Sequence, residues 1–167
     1  MVWLMNAVNG KIMASFIGHE DDVISAFFTK EDKGKHILSA SNDKTIRVWS
    51  PLQAACVQTV RERDGKAFHT SPILCLALHH EKPIAVSGDA EGNVFASQYM
   101  TGEVLRCIGK HADSCETIVF SNALPIAVSG GIDTNIYIYD MKDFSLRLKV
   151  GIGQEGGISR MMFSQVD

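Results

Sequence analysis

The chain has 167 residues, 46% of them hydrophobic and 21% charged, which supports one packed domain. Its 19 acidic residues outnumber 16 lysines and arginines, a net charge of −3 that disfavours a dedicated nucleic-acid-binding domain, normally strongly basic. Four cysteines make no disulfide framework at this length, so a reducing compartment is expected, cytoplasmic and also nuclear. No apolar run approaches the roughly 20 residues of a membrane span, and Met1–Gly10 lacks the order of a signal peptide.

In chain order the sequence reads as short strands. The first unit opens with Val23–Phe28 and continues through Ile37–Ser41, Thr45–Trp49 and Cys56–Val60. The second runs through Ile73–Leu78, Ala85–Asp89, Asn93–Ser97 and Val104–Ile108. The third runs through Thr117–Phe120, Ala127–Gly131, Asn135–Tyr139 and Leu146–Val150. Residues Ile158–Val166 read as one more opening strand. Turn pairs separate the runs: Asn9-Gly10, Asn42-Asp43, Glu91-Gly92, Thr101-Gly102 and Asp133-Thr134. No window holds a helical period.

The units repeat. Laying Asn9–Met13 on Thr101–Leu105 brings His19 opposite His111. Ser39, Ser87 and Ser129 sit in matching runs, each followed four residues later by an acid: Asp43, Glu91 and Asp133. Ten residues after each serine stand Trp49, Ser97 and Tyr139. A period in the forties with four strands per unit is the signature of a propeller blade.

These residues resemble a WD40 repeat. The resemblance implies an all-β fold, a partial WD40 β-propeller of about 3.6 blades of four-stranded antiparallel sheet. It also implies an internal polar tetrad. His19, Ser39, Asp43 and Trp49 match it best, with Trp49-Ser50 standing for the family's Trp-Asp. The second copy is degenerate, with His69 and Ser87 but Glu91 and Ser97 in the acid and tryptophan places. The third has His111, Ser129, Asp133 and Tyr139. The expected divisions are 1–18 as the end of a preceding blade, blades at 19–61, 62–108 and 109–150, and the first strand of a further blade at 151–167. The chain so read is an interior slice of a longer propeller with open edges that favour self-association.

Val2–Ala7, Phe68-His69-Thr70, Ile126–Gly131 and Ile138-Tyr139-Asp140 are similar to the subgroup of the angio-associated migratory cell protein and its fungal and plant relatives. That resemblance implies a non-enzymatic interaction scaffold, a chaperone in ribosome assembly that holds a basic segment of a large-subunit ribosomal protein. The loops on the histidine-bearing face carry most of the acidic excess. Glu20, Asp21, Asp22, Asp89, Glu91 and Asp113 are therefore the expected partner contacts. The loop 61–71 is the longest and most mixed in composition. The alternatives are a signalling or cell-migration scaffold and a ubiquitin-ligase substrate receptor. The latter usually has an arginine two residues after Trp-Asp, where this chain has Leu52 and Lys142.

No cofactor and no metal is expected. Cys107, His111 and Cys115 lack a fourth ligand for zinc. Gly151, Gly153 and Gly156 match a dinucleotide fingerprint, but a strand-like run follows where a helix is required. Ser39, His19 and Asp43 have the residue types of a hydrolase triad but no oxyanion hole.

Overall fold

The computed structural model describes residues 1–63, 65–153 and 155–164, and among these no helix forms. The strands are β1 (Val2–Met5), β2 (Ile12–Phe16), β3 (Val23–Phe28), β4 (Ile37–Ser41), β5 (Ile46–Ser50), β6 (Ala55–Val60) and β7 (Ile73–Leu78). They continue as β8 (Ile84–Asp89), β9 (Asn93–Gln98), β10 (Glu103–Lys110), β11 (Cys115–Phe120), β12 (Ile126–Gly131), β13 (Asn135–Asp140) and β14 (Ser145–Gly151). Strands β3–β6, β7–β10 and β11–β14 make three four-stranded sheets, each pairing its strands in chain order, and β1–β2 is a hairpin. All pairings are antiparallel.

The sheets stack face to face, and side-chain alternation decides what each face touches. Leu38, Ile46 and Val60 of the first sheet meet Phe68, Ile73, Leu76, Phe95 and Tyr99 of the second unit. Val86, Val94 and Ile108 of the second sheet meet Ile118, Ala127, Tyr137 and Tyr139 of the third. Along β8 the alternation is direct: Ala85 points into the first of these cores and Val86 into the other. Val2 and Phe16 of the hairpin cover Ile37 and Trp49 on the remaining face of the first sheet. Strand β4 is consequently buried at every position, and its two polar residues, Ser39 and Ser41, are hydrogen-bonded to His19 and to the Asp21 carbonyl.

The opening strands β3, β7 and β11 lie beside one another. Ile24, Leu74, Cys75, Thr117 and Met161 line a cavity of ≈ 440 Å³ between them. The stack is open. The hairpin exposes Trp3, Met5, Ile12 and Met13, and β14 exposes Leu146, Leu148 and Val150.

The strand expected over 158–166 does not form within the described residues 158–164, and Gln165–Asp167 lie outside them. The Ile158 N–H donates to the Gly131 carbonyl at 2.9 Å. Ile158 lies against Gly130, where a Cβ would meet its Cγ2 at 2.8 Å. The segment thus docks on the side-chain face of β12, which offers no row of backbone groups for a ladder. The third opening strand also starts earlier than the sequence predicts, at Cys115.

Phe68 is 2% exposed and packs its ring against Phe95 at 5.4 Å. Phe68→Ala empties the joint between the first two sheets. It is expected to lower stability by about 3–5 kcal/mol, read as a drop in the urea midpoint with an unchanged m-value.

Candidate functional site

Each sheet carries one polar chain at its histidine-bearing end. In the first, the His19 Nδ1–H donates to Asp43 Oδ2 at 2.7 Å, and the Ser39 hydroxyl donates to His19 Nε2 at 2.7 Å. The Trp49 indole N–H donates to Ser39 Oγ at 2.8 Å. The directions follow from the groups: an ionised carboxylate and an indole leave one order of donors and acceptors. Asp43 also accepts from the Thr45 hydroxyl at 2.7 Å and the Glu20 backbone N–H at 3.0 Å, which ties the loop to the tight turn.

The third sheet repeats this arrangement. His111 bonds Asp133 at 2.8 Å and Ser129 at 2.7 Å. The Tyr139 hydroxyl donates to Ser129 Oγ at 2.8 Å in place of the indole.

The second sheet departs from the expected residues. Asp89, expected as an exposed partner contact, is fully buried. It accepts the His69 Nδ1–H at 2.8 Å. Its Oδ1 also accepts the Glu91 and Asn93 backbone N–H groups at 3.0 and 2.8 Å. Glu91 holds the turn place of Asp43 and Asp133 but takes no part in the chain. Asp89 stands two residues earlier, at the end of β8, where the other sheets have Ser41 and Gly131. From there its carboxylate reaches both the histidine and the turn. The turn still needs a left-handed residue, which is Gly92 at φ 82, matching Lys44 at 69 and Thr134 at 62. At Gly92 a side chain is also excluded by the Asp113 carbonyl. Ser97 takes the tryptophan place, and its Oγ finds no partner among the described residues. Phe68 and Phe95 instead flank His69 edge-on at 4.5 and 4.8 Å.

Burial lowers the pKa of His19 and His69 despite their aspartates. His111 is raised: burial opposes its charge, but hydrogen bonding to Cys115 and Asp133 outweighs that. Burial works against ionising Asp43, yet bonds from Thr45, His19 and Glu20 hold its carboxyl at about 2. Asp133 is held at about 2 against burial by His111, Ala112 and Asn135.

Above these chains lies the loop face. Glu20, Asp21, Asp22, Glu91 and Asp113 are exposed there. The acidic rim is interrupted by a groove of ≈ 510 Å³, lined by Glu20, Asp43, Arg47, Gln58, Arg61 and Arg63. Two arginines of the mixed 61–71 loop thus sit beside the acids. The Ser–His–Asp groups point into the stack, with side-chain exposures of 1% and 6% for His19 and Asp43. No group of three or more metal-ligating side chains converges among the described residues.

Sequence reasoning missed one feature. Cys75 and Cys115, 40 residues apart, meet with Sγ atoms 3.7 Å apart. Spacing along the chain groups Cys115 with Cys107 and His111 instead. Only knowing that β7 and β11 are neighbours brings Cys75 into view.

The family description "WD domain, G-beta repeat" matches residues 10–50. This chain carries WD40 repeats. It is similar to Pre-mRNA-processing factor 19 of Bos taurus, 31% identical over 136 residues, covering 80% of this chain and 25% of that protein. It is also similar to the human Angio-associated migratory cell protein, 23% identical over 129 residues, covering 68% of this chain and 29% of that protein. The chain therefore spans about a quarter of the length of the curated relatives it matches. Among solved structures, the RRP9 WD40 repeats share the fold with a TM-score of 0.75 at 19% identity, covering 84% of this chain and 42% of that one.

Two outcomes test the WD40 chains directly. Asp89→Ala is expected to cost about 2–4 kcal/mol, because it strands a buried imidazole N–H and the turn amides, while Glu91→Ala changes stability by less than about 0.5 kcal/mol. Urea midpoints separate the two. Asp43 and Asp133 have folded pKa values depressed below the ordinary 3.8. Their stabilisation is complete above that value and is lost as pH falls towards about 2. An acid titration followed by near-ultraviolet circular dichroism is expected to show stability falling through this window, and Asp43→Asn to flatten it.

Proposed function

We propose that the chain is a protein-interaction platform that holds a basic peptide segment on its histidine-bearing loop face. One observation carries this reading: five carboxylates, Glu20, Asp21, Asp22, Glu91 and Asp113, stand exposed on one face, on loops pinned from below by the tetrads. The Ala112 backbone N–H, for example, donates to Asp133 at 3.0 Å, which fixes the loop that presents Asp113. Complementary charge on a rigid rim steers a basic partner and sets its orientation. The adjoining groove with Arg47, Arg61 and Arg63 favours a segment that also carries a carboxylate. The platform works without chemistry of its own, since the Ser–His–Asp groups are satisfied and turned inwards.

The specific partner we propose is a basic segment of a large-subunit ribosomal protein, met in the cytoplasm or nucleus. Resemblance to the migratory-cell-protein subgroup supports it. A signalling scaffold is the rival, and it predicts binding that tolerates loss of the acidic rim. The apolar faces of the hairpin and β14 add a second expected property, association of one copy with another.

Replacing Glu20, Asp21 and Asp22 together by lysine is expected to weaken a lysine-rich ribosomal peptide at least tenfold. Most of the change should fall on the association rate, and the wild-type affinity should drop as salt rises. Surface plasmon resonance across a salt series reads this, and unchanged affinity in the triple variant refutes the acidic-rim reading. Light scattering on a size-exclusion column tests association: a discrete dimer is expected, and a monomer at micromolar concentration removes that part of the proposal.

A further inference from the structure

The Cys75–Cys115 pair belongs to neither the tetrads nor the loop face. Cys75 lies on β7 and Cys115 on β11, the opening strands of two neighbouring sheets. They are 8% and 0% exposed. Their sulfurs are 3.7 Å apart, and Cys75 Sγ also lies 3.2 Å from the Cys115 carbonyl oxygen. A disulfide needs about 2.05 Å, so the sulfurs stand in contact and must still draw together for the bond to form. The space for it is built by Gly88 of β8. A Cβ there would fall 2.5 Å from Cys115 Sγ and 2.8 Å from Cys75 Sγ. An alanine at that position would collide with both sulfurs.

We propose that Cys75 and Cys115 form an oxidation site, which hydrogen peroxide converts into a reversible disulfide stapling the second sheet to the third.

Reactivity and access both favour the step. The hydrogen bond from Cys75 draws the Cys115 thiol down to about 7 against burial, with His111 also favouring its thiolate. The same bond pushes Cys75 up, so Cys115 is the one of the two that more readily gives a thiolate. Such a thiolate is the nucleophilic form. Cys75 lines the ≈ 440 Å³ cavity between the opening strands, and Cys115 lies directly behind it, one sulfur contact from the cavity wall that a peroxide reaches. The Cys115 thiolate takes one peroxide oxygen. The O–O bond breaks, and the departing hydroxide gains a proton to become water. Cys75 Sγ then attacks the Cys115 sulfenic sulfur. The S–S bond forms, the S–O bond breaks, and hydroxide leaves with the Cys75 proton as a second water. Two thiols and one peroxide become one disulfide and two waters. An added dithiol reverses the step.

The staple joins residues 40 apart in the chain and in different sheets. It therefore restrains the unfolded chain and holds two sheets together where their inner strands meet. The exposed Cys107 and half-buried Cys56 serve as internal controls.

The test treats the intact chain with stoichiometric hydrogen peroxide, blocks free thiols with N-ethylmaleimide and maps the peptides by mass spectrometry. The expected result is a single cross-link holding Cys75 and Cys115, with two hydrogens lost. The melting temperature is expected to rise by roughly 5–15 °C and to return with dithiothreitol. Cys107→Ser is expected to keep both effects and Cys75→Ala to lose both. Should Cys75→Ala fail to fold, the wild-type and Cys107→Ser maps still decide. A Cys75–Cys115 link that is absent while Cys107 is oxidised overturns the proposal. So does a link routed through Cys56 or Cys107, or one that forms only in urea.

Discussion

Every sheet in this chain has two apolar faces, and each must be covered by something. That constraint organises the molecule. Leu38 and Val48 face the second unit, while Ile37 and Trp49 of the same two strands face the hairpin. The solution is a stack in which neighbouring sheets cover one another, with burial worth about 25 cal/mol per Å² of apolar surface. The stack also explains its own open ends, where Trp3 and Met13 on one side and Leu148 and Val150 on the other remain exposed.

Stacking alone would leave the loop face loose. The buried histidines prevent that, each joining a loop to a strand serine and a turn aspartate. The tetrad tolerates substitution as long as its hydrogen bonds close. Tyr139 replaces an indole because a phenol also donates to the serine. Asp89 replaces an aspartate two residues away because the end of β8 points its carboxylate at the same imidazole. Only Ser97 has no substitute donor role, and aromatic packing around His69 fills that corner. The acidic loops are thereby presented on a rigid base, which is the property an interaction surface requires. The cysteine pair lies at the other joint, where β7 and β11 meet.

Much of this was legible in the chain itself. Turn pairs such as Asn42-Asp43 and the alternating runs between them set the strands. The recurrence of Ser39, Ser87 and Ser129 set the period. The errors came where position counted for more than residue type. Spacing from Ser87 put Glu91 in the turn-acid place and counted Asp89 with it among the surface contacts, whereas Glu91 is exposed and Asp89 is the buried acid on His69. Residues 158–164 have strand-like composition, but they meet β12 through the Ile158 side chain and its backbone N–H instead of through a ladder.

What the sequence by itself determined is local and periodic: strand, turn, left-handed residue, and the histidine, serine and acid that recur with each unit. These follow from backbone preference and alternation, which act over a few residues. What only the tertiary structure decided is which groups come together through packing: Asp89 with His69 inside one unit, Arg61 with Glu20 on the walls of one groove, and Cys75 with Cys115 across two sheets. Each of these depends on how one sheet lies against the next or where a loop folds back. The cross-sheet placements are set by packing of side chains far apart in the chain, and no spacing within one repeat encodes them.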